Sequence, residues 1–146
     1  MSVMVLGYRE KYNGKAINTT SRSNTWSRGL SPFYLTDIEL YGGYRSKNME
    51  NGWQFTKVYP EHADSNGDPT QEYYNWAIEG WNDGYAHRYP MGKGTKPLYS
   101  LWNGRRLGYI EARKEIYIPL YAKAVVETMA FKLLVREYYQ NGIVAL

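Results

Sequence analysis

Glu50, Gln54 and Lys57 place a carboxylate, a carboxamide and an ammonium within one short stretch, residues 48–59. At about 100° per residue these positions fall within an arc of roughly 60°, because i, i+4 and i+7 share a helical face. Met49 and Trp53 flank that stripe on one side, and Val58 and Phe55 on the other. An ordinary surface helix broadens its polar face towards water, so a polar stripe between large apolar groups has two readings. It looks into a pocket, where an acid, an amide and a base meet a ligand, or it is the solvated face of a short helix with exposed aromatics. Lys57 lies two turns beyond Glu50, roughly 10 Å along a helix axis, too far for a simple surface pair.

The elements that must hold this stripe follow from the surrounding pattern. Residues 3–6 read as a short strand, and residues 12–28, rich in Asn, Ser, Thr, Gly and Arg, as a loop. Binding groups are over-represented on loops, and Asn18, Ser21, Arg22 and Arg28 have the chemistry to meet a phosphate or ribose. Residues 33–45 alternate loosely around Ile38 and Leu40 and then reach Gly42-Gly43, the signal for a β-hairpin that leads into the Glu50 helix. Pro60 is expected to stop that helix. Residues 62–69 are turn chemistry, and a helix is predicted over 70–85 with Asp68 as its cap and Tyr73, Trp76, Ala77, Gly80 and Trp81 along its packed side. Asp64, Asn66 and Asp68 do not make a calcium loop, because Pro69 interrupts the spacing and the closing Glu is missing.

Residues 88–104 are the most loop-like basic segment. Gly92-Lys93-Gly94-Thr95 lacks the glycine spacing of a P-loop, but a short Gly-Lys-Gly turn still offers amide donors and a cation to a phosphate. From Leu107 onward the pattern is helical: 109–118, a break at Pro119, then 120–139, with Ala122, Val125, Val126, Met129, Ala130, Leu133 and Leu134 as core positions. Asn141-Gly142 ends the last helix, and the apolar run 143–146 calls for burial or pairing.

A length of 146 residues fits one domain spanning 1–146, of α+β class, mainly α with a small N-terminal β-hairpin or sheet. The chain has 16 Tyr and 5 Trp against 3 Phe, so most large rings carry a polar tip and can stack on sugars and bases as well as pack. A net charge of +4 is compatible with a phosphate-bearing partner but is short of a nucleic-acid signature. With no Cys, disulfides, thiolate chemistry and cysteine-ligated zinc are excluded. The amino terminus lacks a secretory h-region, and no stretch approaches the ~20 apolar residues of a membrane span. A cytoplasmic chain with no membrane partner is therefore expected.

Three blocks resemble, in the right order, the NADAR family of YbiA-like N-glycosidases. Leu30-Ser31-Pro32-Phe33 is similar to the family's Leu-Ser-Asn-Phe and precedes the glycine hairpin. Glu50, Gln54 and Lys57 match its Glu-x-x-x-Gln-x-x-Lys helix. Ala86 with Met91-Gly92, then Thr95-Lys96-Pro97-Leu98 with Trp102, is similar to its Ala-x-x-Met-Gly and Ser-Lys-Pro-Leu segments. The amphipathic stretch 112–135, with Ala122 and Lys123, resembles the family's closing helices, so the likeness spans about residues 17–140. The sequence departs from the pattern at Pro32, where the family has Asn, and at Asn51, where it has His. Its closing Trp-Gly signature has no counterpart before Leu146, so the far wall of the pocket is expected to be missing, built differently, or supplied from beyond that residue.

The resemblance implies a YbiA-like single domain, without metal or cofactor, that hydrolyses the N-glycosidic bond of an ADP-ribosylated or ribosylated nucleobase, free or on nucleic acid. Such a cleavage passes through an oxocarbenium-like sugar and needs a carboxylate near the anomeric carbon, a water, and a way for the base to depart. Glu50 is expected to be that carboxylate, held ionised by the amides of its helix start. Lys57 is expected to orient Gln54 or to hold a hydroxyl or phosphate. Trp53 and Trp102 are expected to stack on the leaving base, and Arg22, Lys93 and Lys96 to hold a pyrophosphate. Two other classes remain open: a non-catalytic module that binds ADP-ribose, a nucleotide or nucleic acid, and an oligomeric interaction protein that uses its aromatic surface.

Overall fold

The computed structural model describes residues 2–146, apart from the side chains of Ile143 and Val144. The architecture is α+β, with the β structure among the described residues in three separate small sheets rather than one N-terminal element. Strand β1 (Ser2–Met4) pairs in parallel with β7 (Ile143–Ala145), and Ala16 bridges Ala145 on the other side. The apolar carboxyl-terminal run is therefore paired, its backbone groups taken up by the amino terminus.

The expected hairpin forms between β2 (Thr36–Glu39) and β3 (Arg45–Asn48), in the register Ile38↔Ser46. Gly42 and Gly43, at φ 59° and 81°, supply the left-handed turn that a side chain would resist. β3 runs directly into helix α1 (Met49–Gln54). The helix ends at Gln54, well before Pro60. The Thr56 N–H and hydroxyl both fold back on the Trp53 carbonyl, and the chain then enters β4 (Lys57–Val58). That strand is held by β5 (Tyr99–Trp102), which turns back into β6 (Arg105–Leu107) through Asn103 and Gly104 at φ 49° and 79°. Part of the segment read as basic loop is thus a β-hairpin, and its Asn-Gly turn is the usual signal for one.

Helix α2 (Gln71–Asn82) buries Tyr73, Ala77, Gly80 and Trp81, the side predicted to pack. Thr70, not Asp68, occupies its N-cap position, and the Asp68 carboxylate is drawn off to the Arg106 guanidinium. Trp81, Tyr73, Leu35, Met49, Leu107, Ile116 and Val58 are the large fully buried side chains, so the core lies between α1, α2 and the two hairpins.

In the carboxyl-terminal third, α3 (Tyr109–Ala112) widens into a π-helical stretch, Arg113–Tyr117, before α4 (Ile118–Val125) and α5 (Met129–Asn141). Pro119 does not break the helix as predicted. It sits in the first turn of α4, and the wide turn before it absorbs the missing N–H and the bulk of the ring. The break falls instead at residues 126–128, where the Thr128 hydroxyl caps α5 by accepting the Phe131 N–H at 3.1 Å. This resets the helical phase, so only part of the expected core stripe is inside. Val125 and Ala130 are buried, Leu133 and Leu134 are half-buried, and Ala122, Val126 and Met129 are exposed. Among the described residues, no helix is long and apolar enough to cross a membrane.

Candidate functional site

The position of α1 is set from both ends. Asn48 caps it, its Oδ1 accepting the Asn51 N–H at 2.8 Å. The Met49 and Glu50 N–H groups donate to the carbonyls of Leu35 and Pro32. Segment 30–33 therefore meets the helix through its backbone, a contact that Pro at position 32 can still make. Asn51, fully buried, pins the helix to the far end of α2. Its Nδ2 donates to the carbonyls of Gly80 at 3.1 Å, Asp83 at 3.1 Å and Tyr85 at 2.7 Å, and its Oδ1 accepts the His87 N–H at 2.8 Å. Gly80 lets α2 come this close, since a Cβ there would stand 2.1 Å from Phe55 Cε1.

On this frame Glu50, Gln54 and Lys57 form one hydrogen-bonded chain. Gln54 Nε2 donates to Glu50 Oε1 at 2.9 Å, and Lys57 Nζ donates to Gln54 Oε1 at 2.8 Å. Lys57 reaches Gln54 from β4 rather than along a helical face, because its four-carbon stem spans the gap left where the helix stops. Glu50 and Gln54 are only 6% and 8% exposed, so the reading of this stripe as a solvated face is excluded.

Burial also decides the charge states. It raises the Glu50 pKa above its ordinary value; the Gln54 hydrogen bond, Arg88 and Lys57 pull the other way and do not overcome it. The expectation that helix amides hold Glu50 ionised is thus corrected. Those amides are occupied by Leu35, Pro32 and Asn48, and six residues make a weak dipole. Burial likewise lowers the Lys57 pKa, with Glu50 opposing and Arg113 adding to the shift. Each end of the chain is therefore less comfortable charged than it would be in water, an arrangement that is common where proton transfer is done.

Lys57 and Trp53 form part of the wall of a cavity of about 510 Å³, closed on other sides by residues 94–100 and by Leu107, Gly108 and Tyr109. Lys57 Nζ lies 5.1 Å from the Trp53 ring centroid, and Tyr117 packs edge-on against the same ring at 5.4 Å. The Tyr117 phenol is pushed up to about 12, first by burial and then by the nearby Glu50 charge. Tyr117 is half-buried and Arg113 exposed; both come from the π-helical turn.

The structure gathers only some of the expected ligand-binding side chains here. Trp53 and Lys96 line the cavity, and Lys93 is exposed on the same loop. Trp102 does not line it. It packs 4.9 Å from the Tyr41 ring in an aromatic cluster with Tyr44 and Trp81. Asn18 and Arg22 line a different cavity, of about 590 Å³, enclosed by residues 15–18 and 22–27. Asn18 Oδ1 is already bound by the Thr20 N–H and hydroxyl, at 3.0 and 2.7 Å, so it shapes its own loop. Ser21 is half-buried beside it and lines neither cavity. Sequence reasoning missed Asn51, Ser100, Tyr109, Arg113 and Tyr117. The Asn103-Gly104 turn signal would have placed Ser100 on a strand facing this site, whereas nothing local marks the π-helical turn. Among the described residues, no group of three potential metal ligands occurs. No protein-family model, curated protein or solved structure matches the chain.

Proposed function

We propose that the protein is an N-glycosidase of YbiA-like fold that hydrolyses the bond between a ribosyl or ADP-ribosyl group and a nucleobase. The observation that carries this reading is the hydrogen-bonded chain from a buried carboxyl, through a carboxamide, to an ammonium on the wall of a cavity large enough for a nucleotide. The three blocks of sequence resemblance support it by where they fall. Segment 30–33 accepts the Glu50 N–H, the 94–98 loop lines the cavity, and Glu50, Gln54 and Lys57 stand between them.

In the proposed reaction water adds to the anomeric carbon as the C–N bond breaks, and the base leaves with a proton. Glu50, whose proton affinity is raised by burial, takes one proton of the attacking water and releases it again to solvent, from which the departing base takes up an equivalent proton. Gln54 fixes the orientation of the carboxyl, and its own amide is fixed in turn by Lys57, which donates to its oxygen. Trp53 gives the departing base a face to rest on. Lys96, exposed at the cavity, meets the phosphates of an ADP-ribosyl substrate.

One observation favours a second reading. Trp53 and Lys57 line the cavity whereas Glu50 and Gln54 sit behind them, as suits a module that holds a nucleotide or ADP-ribose without turning it over. An oligonucleotide bearing ADP-ribosylated guanine separates the two. The hydrolase releases ADP-ribose measurable by chromatography, and Glu50→Gln abolishes release while retaining the native circular dichroism spectrum. Saturable binding with no release by the unaltered chain selects the binding module, and full release by the variant removes Glu50 from the mechanism.

A further inference from the structure

The surface around the proposed site extends beyond the residues that either reading uses. Three rings on the cavity wall carry a cation: Lys57 lies over Trp53, Arg106 over Tyr99 at 4.9 Å, and Arg113 over Tyr109 at 4.9 Å. A fourth pair, Arg88 over Tyr89 at 5.5 Å, stands on the loop that runs into the cavity at residue 94. Tyr109 and Tyr89 are 65% and 49% exposed, and each has an arginine guanidinium over its ring. Each therefore offers an open aromatic surface with a positive charge beside it.

The charges around these rings are one-sided. The nearby carboxylates are engaged: Asp68 by Arg106, Glu115 by Arg105, and Glu111 by the Gly108 N–H. Among the described residues, Arg88, Lys93, Lys96 and Arg113 take part in no salt bridge, and no carboxylate lines the cavity. Rings that accept a flat partner, alternating with unpaired cations at an opening, are the composition that binds unpaired nucleotides. Stacking takes the bases and the cations take the backbone phosphates. A duplex keeps its bases stacked on one another and so cannot use the rings.

We propose that the cavity mouth, with Tyr89, Tyr109, Arg88, Lys93, Lys96 and Arg113, binds single-stranded nucleic acid and threads one nucleotide into the cavity. This rests on the cavity described above being the ligand site, but not on turnover within it. A strand explains why cations and rings continue past the opening onto exposed positions, where a mononucleotide seated inside has nothing for Tyr89 or Lys93 to meet.

Fluorescein-labelled dT12 and U12, with a 12-base-pair duplex as control, test this by anisotropy on the full chain. If four cations neutralise phosphates, the slope of log affinity against log salt is about −2.8, a loss of roughly 50-fold between 50 and 200 mM salt. Arg113→Gln flattens that slope by about 0.7. Tyr89→Ala and Tyr109→Ala each weaken binding about tenfold. A preference for dT12 or for U12 identifies the strand, and either supports the proposal. It is overturned if neither oligonucleotide binds at 50 mM salt, if the duplex binds as tightly, or if both tyrosine variants bind unchanged. ADP-ribose release without strand binding would defeat this proposal and leave the hydrolase reading standing; strand binding without release would do the reverse.

Discussion

Replacing Asn51 by Asp is the sharpest test of how α1 is held. The change is nearly isosteric, so packing is preserved and only the hydrogen-bond chemistry alters. The amide orientation is not arbitrary: Oδ1 accepts the His87 N–H at 2.8 Å, which leaves Nδ2 facing the carbonyls of Gly80, Asp83 and Tyr85. In the variant an oxygen replaces that nitrogen and meets three carbonyl oxygens at distances where Nδ2 now lies 2.7–3.1 Å away. Losing the whole amide, as in Asn51→Ala, costs about 2–3 kcal/mol once the orphaned carbonyls and the His87 N–H are counted. Burying an unpaired charge raises the loss for Asp to roughly 4–5 kcal/mol, a large part of the ~5–15 kcal/mol that holds a domain of this kind together.

The sign of the pH dependence separates this account from simple loss of packing. An Asp in that place has a folded pKa above its unfolded value of ~3.9, because burial and the carbonyl oxygens disfavour its charge. The folded state then binds the proton more tightly, so stability is greatest below the unfolded value and falls as pH rises through the elevated one. Urea titrations of Asn51→Asp at pH 7 and pH 5 should therefore show a higher midpoint in acid, relative to the unaltered chain at the same pH. Asn51→Ala should show no such recovery. A variant as stable as the unaltered chain at pH 7, or one with the same deficit at both pH values, would mean that Asn51 does not face those carbonyls.

Gly80→Ala sets a gain of ~1 kcal/mol in helix propensity against a Cβ placed 2.1–2.4 Å from three atoms of the Phe55 ring. The clash should win and destabilise the fold by about 1–2 kcal/mol in denaturant unfolding, with Phe55→Leu in the same chain restoring part of the loss; a neutral or stabilising Gly80→Ala would show the two elements to be further apart. Glu50→Gln should raise the melting temperature at pH 7. The Glu50 pKa lies above its ordinary 4.5, so its contribution is whole below that pH and is lost as pH rises through the elevated value. The two chains should melt alike at pH 4, and a melting temperature lowered by the substitution at pH 7 would count against a buried, strained carboxyl.

What could be read from the sequence was whatever depended on neighbours in the chain. Gly42-Gly43 and the alternation around Ile38 located the first hairpin, and the 3.6-residue period of Tyr73, Ala77, Gly80 and Trp81 located α2. The Glu50, Gln54 and Lys57 spacing grouped side chains that the structure does bring together, for a reason that was half right. Glu50 and Gln54 do share a helical face, but a two-residue strand leaves no period to detect, so the exit of Lys57 from the helix was invisible. The end of α1 is decided by a β partner some forty residues away, at Ser100 and Tyr99. The Asn103-Gly104 and Thr128 signals were local and legible, but a basic composition and a long apolar stripe outweighed them.

The role of Asn51 lay beyond any local pattern, because its partners are backbone carbonyls and an amide 29 to 36 residues downstream. Its position next to Glu50 nevertheless explains how an uncomfortable acid is tolerated. Both Glu50 and Lys57 would be better solvated outside, so α1 and β4 gain from any motion that exposes them. Four hydrogen bonds from one fully buried amide oppose that motion at the residue beside the acid, and Asn48 opposes it at the helix start. A site that keeps charges where water would not put them needs an anchor in the surrounding structure that does not itself titrate. A carboxamide meets that need where a histidine at the same position would add a second pH-dependent group.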